Sequence, residues 1–234
     1  MPYILSPIIT ESMPGMWFEG QGYKRENIYS INDPKGPPVN YDAHTLKPHS
    51  LTHMEAQSHT MKNGMSVDDY FKKQINSFFG PVVVVKLKGK NWKPVEGLDG
   101  IYHWEVSLSE LKSELGDEIP CKLILSVEEM PINKSQLHDP NYVLTLSQES
   151  ADYLLQNPNF DMYGTSWKSS DFCPGSRNRP IHNTLFKQAA IFENLKLDDV
   201  PAGKYFFSGF PLPLHLASES PVCPVLFKKD EINF

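Results

Sequence analysis

Residues 66–87 read SVDDYFKKQINSFFGPVVVVKL, and this one stretch sets out both kinds of element in the fold. Ser66 is a helix N-cap residue, Asp68 and Asp69 suit the positive end of a helix, and Tyr70, Phe71, Ile75 and Phe78 recur as an apolar stripe. Gly80 and Pro81 end that helix, and VVVVKL at 82–87 is a β-branched strand run.

The same alternation continues outward. YHWEVSL (102–108), CKLILS (121–126) and YVLTLS (142–147) read as strands, and 108–115 reads as a short helix between two of them. Ser147 caps a helix over QESADYLLQ (148–156), and DMYGTSW (161–167) reads as a buried strand. NTLFKQAAIFENL (183–195) has the pattern of a helix, and KYFFSGFPL (204–212) and PVLFK (224–228) are closing strands. Seven prolines in the first sixty positions break any long helix there and leave loops and short strands. Strands interleaved with few, short helices imply an α/β fold, and the absence of repeats or composition shifts implies one domain over 1–234.

Composition narrows the function. A chain of 234 residues with 40% apolar and 21% charged residues has globular character. A net charge of −6 without a basic stripe argues against nucleic acid as a partner, because phosphate binding needs clustered cations. The apolar run at 81–85 is far short of the roughly 20 residues that span a bilayer, so no membrane partner is expected. MPYILSPIITES lacks a basic n-region and cleavage site, so a cytoplasmic location is expected. Cys121, Cys173 and Cys223 form no C-x-x-C pair and read as reduced structural thiols.

The chemistry is concentrated in PHSLTHMEAQSHT (48–60), where His49, His53, Glu55 and His59 lie within eleven residues. On an extended strand His49 and His53 would stand roughly 13 Å apart, too far to share an ion. On a helix begun by Pro48 they would be neighbours, but Glu55 would turn away. The geometry that gathers them is irregular: a tight turn at 49–53 leading into an extended stretch with His53 and Glu55. Such a loop suits zinc, manganese or iron, and it equally suits a polar loop that is rich in histidine by chance.

The segment resembles the signature H-x-G-T-H-x-D-x-P-x-H of the metal-dependent cyclase and kynurenine formamidase family, with His49, Thr52, His53, Glu55 and His59 at matching positions. YGTSWKSSD (163–171) is similar to that family's G-x-D-x-x-S-x-D block. IHNTLFKQAAIFENLKLDDVPAGKYFFSGFPLPL (181–214) is similar to its carboxy-terminal histidine, E-N-L and V-P-x-G-x-Y run, and SESPVCPVLF (218–227) to its closing G-S-P-x-R block. The resemblance spans about 40–227.

It implies a barrel-like mixed β core with helices packed outside, a homodimer or homotetramer, and hydrolysis of a small amide, formamide, lactam or cyclic imide C–N bond by metal-activated water. It further implies that His49, His53 and Glu55 hold a divalent Zn2+ or Mn2+ ion, that His182 and Glu193 complete that site or hold a second ion, and that His59 is the acid/base residue. Without the resemblance His182 and Glu193 would pass for solvated residues, and His44, His103, His138 and His215 match nothing and read as structural. Trp17, Phe18, Trp92 and Trp167 read as core or interface, with Trp17 and Trp167 in segments able to reach a cleft.

Five positions depart from the pattern: Leu51 for glycine, Glu55 for aspartate, Gln57 for proline, Ser166 for aspartate and Cys223 for arginine. The interval from His182 to Glu193 is one residue short, which on a regular helix would rotate Glu193 by about 100°. Two alternatives to hydrolysis therefore stand: a metal-binding module that has lost turnover, and a lyase or dehydratase using the same metal site.

Overall fold

The computed structural model describes residues 1–17, 20–116, 118–172 and 178–232; Phe18 and Cys173 lie outside them. In chain order the strands are β1 (Tyr3–Ile4), β2 (Tyr23–Tyr29), β3 (Tyr41–Leu46), β4 (His53–Glu55), β5 (Phe79–Leu87), β6 (Lys93–Pro94) and β7 (Tyr102–Val106). They continue with β8 (Lys122–Val127), β9 (Tyr142–Leu146), β10 (Met162–Thr165), β11 (Ala190–Glu193), β12 (Gly203–Ser208), β13 (Glu219–Pro221) and β14 (Val225–Phe227). The helices are α1 (Val67–Lys73), α2 (Leu108–Leu115), α3 (Gln148–Leu154) and α4 (Pro180–Leu185).

Nine strands form a mixed sheet that curls into a half-barrel in the order β1-β14-β12-β5-β8-β10-β11-β4-β13. Its centre, β5-β8-β10-β11, is parallel. Every residue of β8, β10 and β11 is buried, as expected for parallel strands covered on both faces. Val84, Leu123, Ile124, Leu125, Tyr163, Ile191 and Phe192 lie at the middle of the apolar core. β6-β7-β9 form a second sheet, and β2 and β3 pair as a ribbon whose residues are nearly all exposed.

Two helix starts follow the caps read from sequence, at Ser66 and Ser147, and α2 opens on Ser107, a cap not read there. Ser107 and Ser147 accept backbone N–H bonds from Glu110 and Ser150, and Ser66 and Asp69 form the reciprocal pair that opens α1. Two expectations are corrected. The helix from Ser66 ends at Lys73; Gln74 leaves helical geometry, Ile75–Phe78 forms a single 3-10 turn, and Ile75 is exposed. The expected helix over 183–195 is two elements: α4 stops at Leu185, and Ala190–Glu193 is strand β11. An apolar run as short as AAIF fits either state, and here the open slot between β10 and β4 decides it.

No helix among the described residues is long and apolar enough to cross a membrane.

Candidate metal centre

Three neighbouring strands at one end of the large sheet set the register of the site. β4 is antiparallel to both β11 and β13, with His53 opposite Glu193 and Glu55 opposite Glu219. His53 and Glu55 are two residues apart on one strand and share a face, so their cross-strand partners share it too.

Turns bring in the rest. Pro48 opens a 3-10 turn over Pro48–Ser50 that carries His49, and a second one over Gln57–His59 returns His59 toward the strand. The irregular turn read from PHSLTHMEAQSHT is therefore present, with His53 and Glu55 in the extended stretch that follows it. His182 reaches the site from the first turn of α4.

Glu55 is the hub. His182 Nε2 lies 3.0 Å from its Oε2, while Oε1 lies 3.4 Å from His49 Nε2, 3.4 Å from His53 Nε2 and 3.3 Å from His59 Nε2. Glu193 Oε1 is 3.4 Å from His182 Nε2, and its Oε2 is 3.8 Å from His53 Nε2. All six residues named from sequence thus meet at one place. Glu193 arrives from a strand rather than a helix, so the shortened interval after His182 imposes no rotation.

Ligand-forming atoms fall into two groups that share Glu55: His49, Glu55 and His59, and His53, Glu55 and Glu193. Burial is near complete for His53, Glu55, His182 and Glu193, while His49 and His59 stand partly open. Burial opposes the charge on Glu55, but the imidazoles of His182, His49 and His53 outweigh it and hold the carboxyl well below its usual range. Burial likewise opposes a proton on His182, yet Glu55, Asp171 and Glu193 raise that group well above its ordinary value.

An outer ring fixes the ring faces. His53 Nδ1 lies 2.8 Å from the Leu51 carbonyl, and His182 Nδ1 lies 2.6 Å from Asp171 Oδ2. With the Nδ1 edges so engaged, the Nε2 edges face the carboxylates, the arrangement that orients histidine for a metal. Ser170 donates to Glu193 Oε1 at 2.8 Å. Asn194, in a left-handed conformation (φ 55°) that asparagine tolerates, donates to the carbonyls of His49 and Leu51 at 3.0 and 3.1 Å and ties the first turn to the end of β11. Glu219 Oε2 lies 3.6 Å from His59 Nδ1, and His59 first, with Ser218 in support, brings its carboxyl down to about 2.

Sequence reading passed over Asp171, Ser170, Asn194 and Glu219. The first three had a signal, since they sit inside the quoted 163–171 and E-N-L blocks. Glu219 had none.

The departures have local accounts. Leu51 is buried with Met13, Met16 and Leu137. Gln57 donates to the Phe186 carbonyl at 2.7 Å and accepts from the Met65 N–H at 3.1 Å, joining the end of α4 to the loop after His59. Ser166 pairs with the buried His138, Nδ1 to Oγ 2.8 Å. Cys223 is exposed, and nothing in the structure explains it.

Beside this centre, on the side of Asp171, lies a cavity of about 600 Å³ whose lining includes Trp17, Trp167, Phe172 and Arg179.

No protein-family model matches the chain. A kynurenine formamidase of Paracidovorax citrulli (strain AAC00-1) is 27% identical over 190 residues, covering 81% of this chain and 80% of that protein. Among solved structures, isatin hydrolase A from Ralstonia solanacearum superposes with a TM-score of 0.70 at 19% identity, covering 97% of this chain and 92% of that one. A protein described as a novel cyclase superposes with a TM-score of 0.74 at 14% identity, covering 97% and 88%. The solved structures share the fold, and in sequence the chain is similar to kynurenine formamidases over about four-fifths of its length, which supports a cyclase and kynurenine formamidase-like family.

Proposed function

We propose that this protein is a metal-dependent hydrolase that cleaves the C–N bond of a small amide, formamide, lactam or cyclic imide. One observation carries the reading: four imidazole Nε2 atoms and the buried Glu193 carboxylate, carried by five separate elements, converge around the buried Glu55. His49 Nε2 is buried and makes no hydrogen bond, the state of a nitrogen whose partner is an ion. A hard and borderline donor set of nitrogen and oxygen, without thiolate, suits Zn2+ or Mn2+.

His49, His53, Glu55, His182 and Glu193 would hold one or two ions, and His59, whose Nε2 also lies near Glu55, is kept for proton transfer. A divalent ion bound there supplies Lewis-acid activation of water and of the scissile carbonyl. The chain's own residues supply the rest. Asp171 and the Leu51 carbonyl hold His182 and His53 with their Nε2 atoms inward. His59, at the open side, takes a proton at Nε2 and delivers it to the leaving nitrogen, as amide cleavage requires. The apolar cavity with Trp17 and Trp167 gives a flat organic group a dry wall.

An assembly of two or four copies would cover the ribbon of β2 and β3, which leaves Ile28, Tyr29 and Tyr41 exposed and which a two-stranded hairpin in water does not sustain alone. Light scattering of the purified protein measures that state.

The function is tested by metal analysis of purified protein and by assays on N-formylkynurenine, isatin and simple cyclic imides with added zinc or manganese. Turnover that disappears in His53→Ala is expected. Protein that binds neither metal, or a His53→Ala variant that keeps full activity, overturns the reading; bound metal without turnover points to the binding-module alternative.

A further inference from the structure

His59 lies between two carboxylates that rise from adjacent strands. Glu219 stands directly opposite Glu55 in the β13–β4 pair, so both side chains occupy the same face at neighbouring positions. Like charges directly opposite each other repel. The His59 ring lies between them: Nε2 is 3.3 Å from Glu55 Oε1 and Nδ1 is 3.6 Å from Glu219 Oε2.

Glu219 is itself held. The Ser218 hydroxyl donates to Glu219 Oε2, the oxygen that faces the ring, and the backbone on either side is pinned by Ala56 N–H to the Ser218 carbonyl at 2.8 Å and Val222 N–H to the Thr52 carbonyl at 3.1 Å. With Cys223 at the arginine of the closing G-S-P-x-R block, Glu219 falls on its glycine. The carboxylate is therefore a further departure beside the five at 51, 55, 57, 166 and 223, and it stands next to the acid/base histidine.

We propose that Glu219 is the positioning residue of His59. It accepts a hydrogen bond from Nδ1–H, which in the neutral ring leaves Nε2 as the acceptor nitrogen for the reacting atoms. A neutral imidazole has one donor and one acceptor nitrogen, and the partner of one decides the role of the other. When Nε2 takes a proton from the attacking water, the carboxylate across the ring stabilises the imidazolium until that proton passes to the leaving nitrogen, the task of the third member of a triad. The 3.6 Å contact exceeds a hydrogen bond; such contacts tighten when substrate closes the site.

The proposal rests on the reading of His59 as the proton-transfer group, and two readouts separate the two. In protein carrying 15N-labelled histidine, with the His59 signal assigned by its loss in His59→Gln, the wild type should show Nδ1 protonated, Glu219→Asp should keep that tautomer, and Glu219→Ala should move the proton to Nε2. An unchanged tautomer in Glu219→Ala overturns the proposal whether or not substrate is turned over. In the isatin or N-formylkynurenine assay, Glu219→Gln should lower kcat roughly 10- to 100-fold with KM within about twofold, Glu219→Asp should recover most of it, and the effect should vanish in a His59→Gln background. An equal fall in that background also overturns it. An unchanged kcat in His59→Gln alone removes the catalytic reading of His59, and the tautomer then still decides the positioning.

Discussion

Asp171 holds His182 by ring and backbone together. Its Oδ2 lies 2.6 Å from His182 Nδ1 and accepts the His182 backbone N–H at 3.0 Å, while Oδ1 accepts the Ile181 N–H at 2.9 Å. One carboxylate thus satisfies free N–H groups at the start of α4 and aims the imidazole of the same helix at Glu55.

That double duty separates two variants. Asp171→Asn keeps a carbonyl for one N–H but weakens the hold on the ring, and metal affinity should fall roughly 10- to 100-fold with little change in melting temperature. Asp171→Ala removes the cap as well and should cost about 1 kcal/mol further in stability. Competitive metal titration and thermal melts of both variants check this, and equal affinity in wild type and Asp171→Asn would refute it.

Chelation should destabilise the whole chain, because Glu55 and Glu193 sit buried beside imidazoles that an ion would organise. At free metal about 100 times its dissociation constant the bound state gains about 2.7 kcal/mol, or about 5–10 °C in Tm for a chain of this size. Melting after EDTA treatment, and again after zinc or manganese is restored, measures the shift. A Tm indifferent to both would count against a structural metal.

Glu55→Asp introduces the family's own residue, yet it should impair this chain. Withdrawing the carboxylate by about 1.5 Å breaks the 3.0 Å contact to His182 while four imidazoles remain spaced for glutamate. We expect about tenfold weaker metal binding or a changed zinc-to-manganese preference; an unchanged affinity and preference would show that the site adapts freely.

Gln57, in place of the family's proline, joins two segments that carry site residues. Gln57→Pro loses both the bond to the Phe186 carbonyl and that from the Met65 N–H, and should cost about 1–3 kcal/mol. Urea unfolding reports it directly.

Acid stability should carry the signature of His138. Burial pushes this imidazole down to about 3, against an ordinary value of 6.5. A depressed folded-state value means that the unfolded chain takes the proton first, so this contribution is complete above about pH 6.5 and is lost by about 1.4 kcal/mol per pH unit as the pH falls from there toward about 3. His138→Gln cannot charge and should flatten the pH dependence of unfolding by one proton over that range. Urea midpoints at several pH values decide it, and an unaltered slope would refute the assignment.

Local chemistry wrote much of this structure into the sequence. Ser66 and Ser147 marked helix starts because capping acts within a few residues, and VVVVKL, CKLILS and YVLTLS became strands because their neighbours only deepened a preference already present. Pro48 and the spacing of His49, His53 and Glu55 showed that a turn followed by an extended stretch is the geometry that would gather these side chains, without deciding that they gather.

Tertiary structure decided what local preference left balanced. AAIF became a strand because β10 and β4 offered hydrogen bonds on both sides, and this set Glu193 across from His53. Residues 53, 55, 193 and 219 meet through sheet register and His182 through the packing of α4, so which side chains Asp171 and Glu219 face cannot be read along the chain. Sequence by itself determined most of the elements and offered side chains able to bind a metal; the curled sheet decided the balanced elements and which side chains face one another, because cross-strand neighbours are chosen by pairing across the whole fold and not by distance along the backbone.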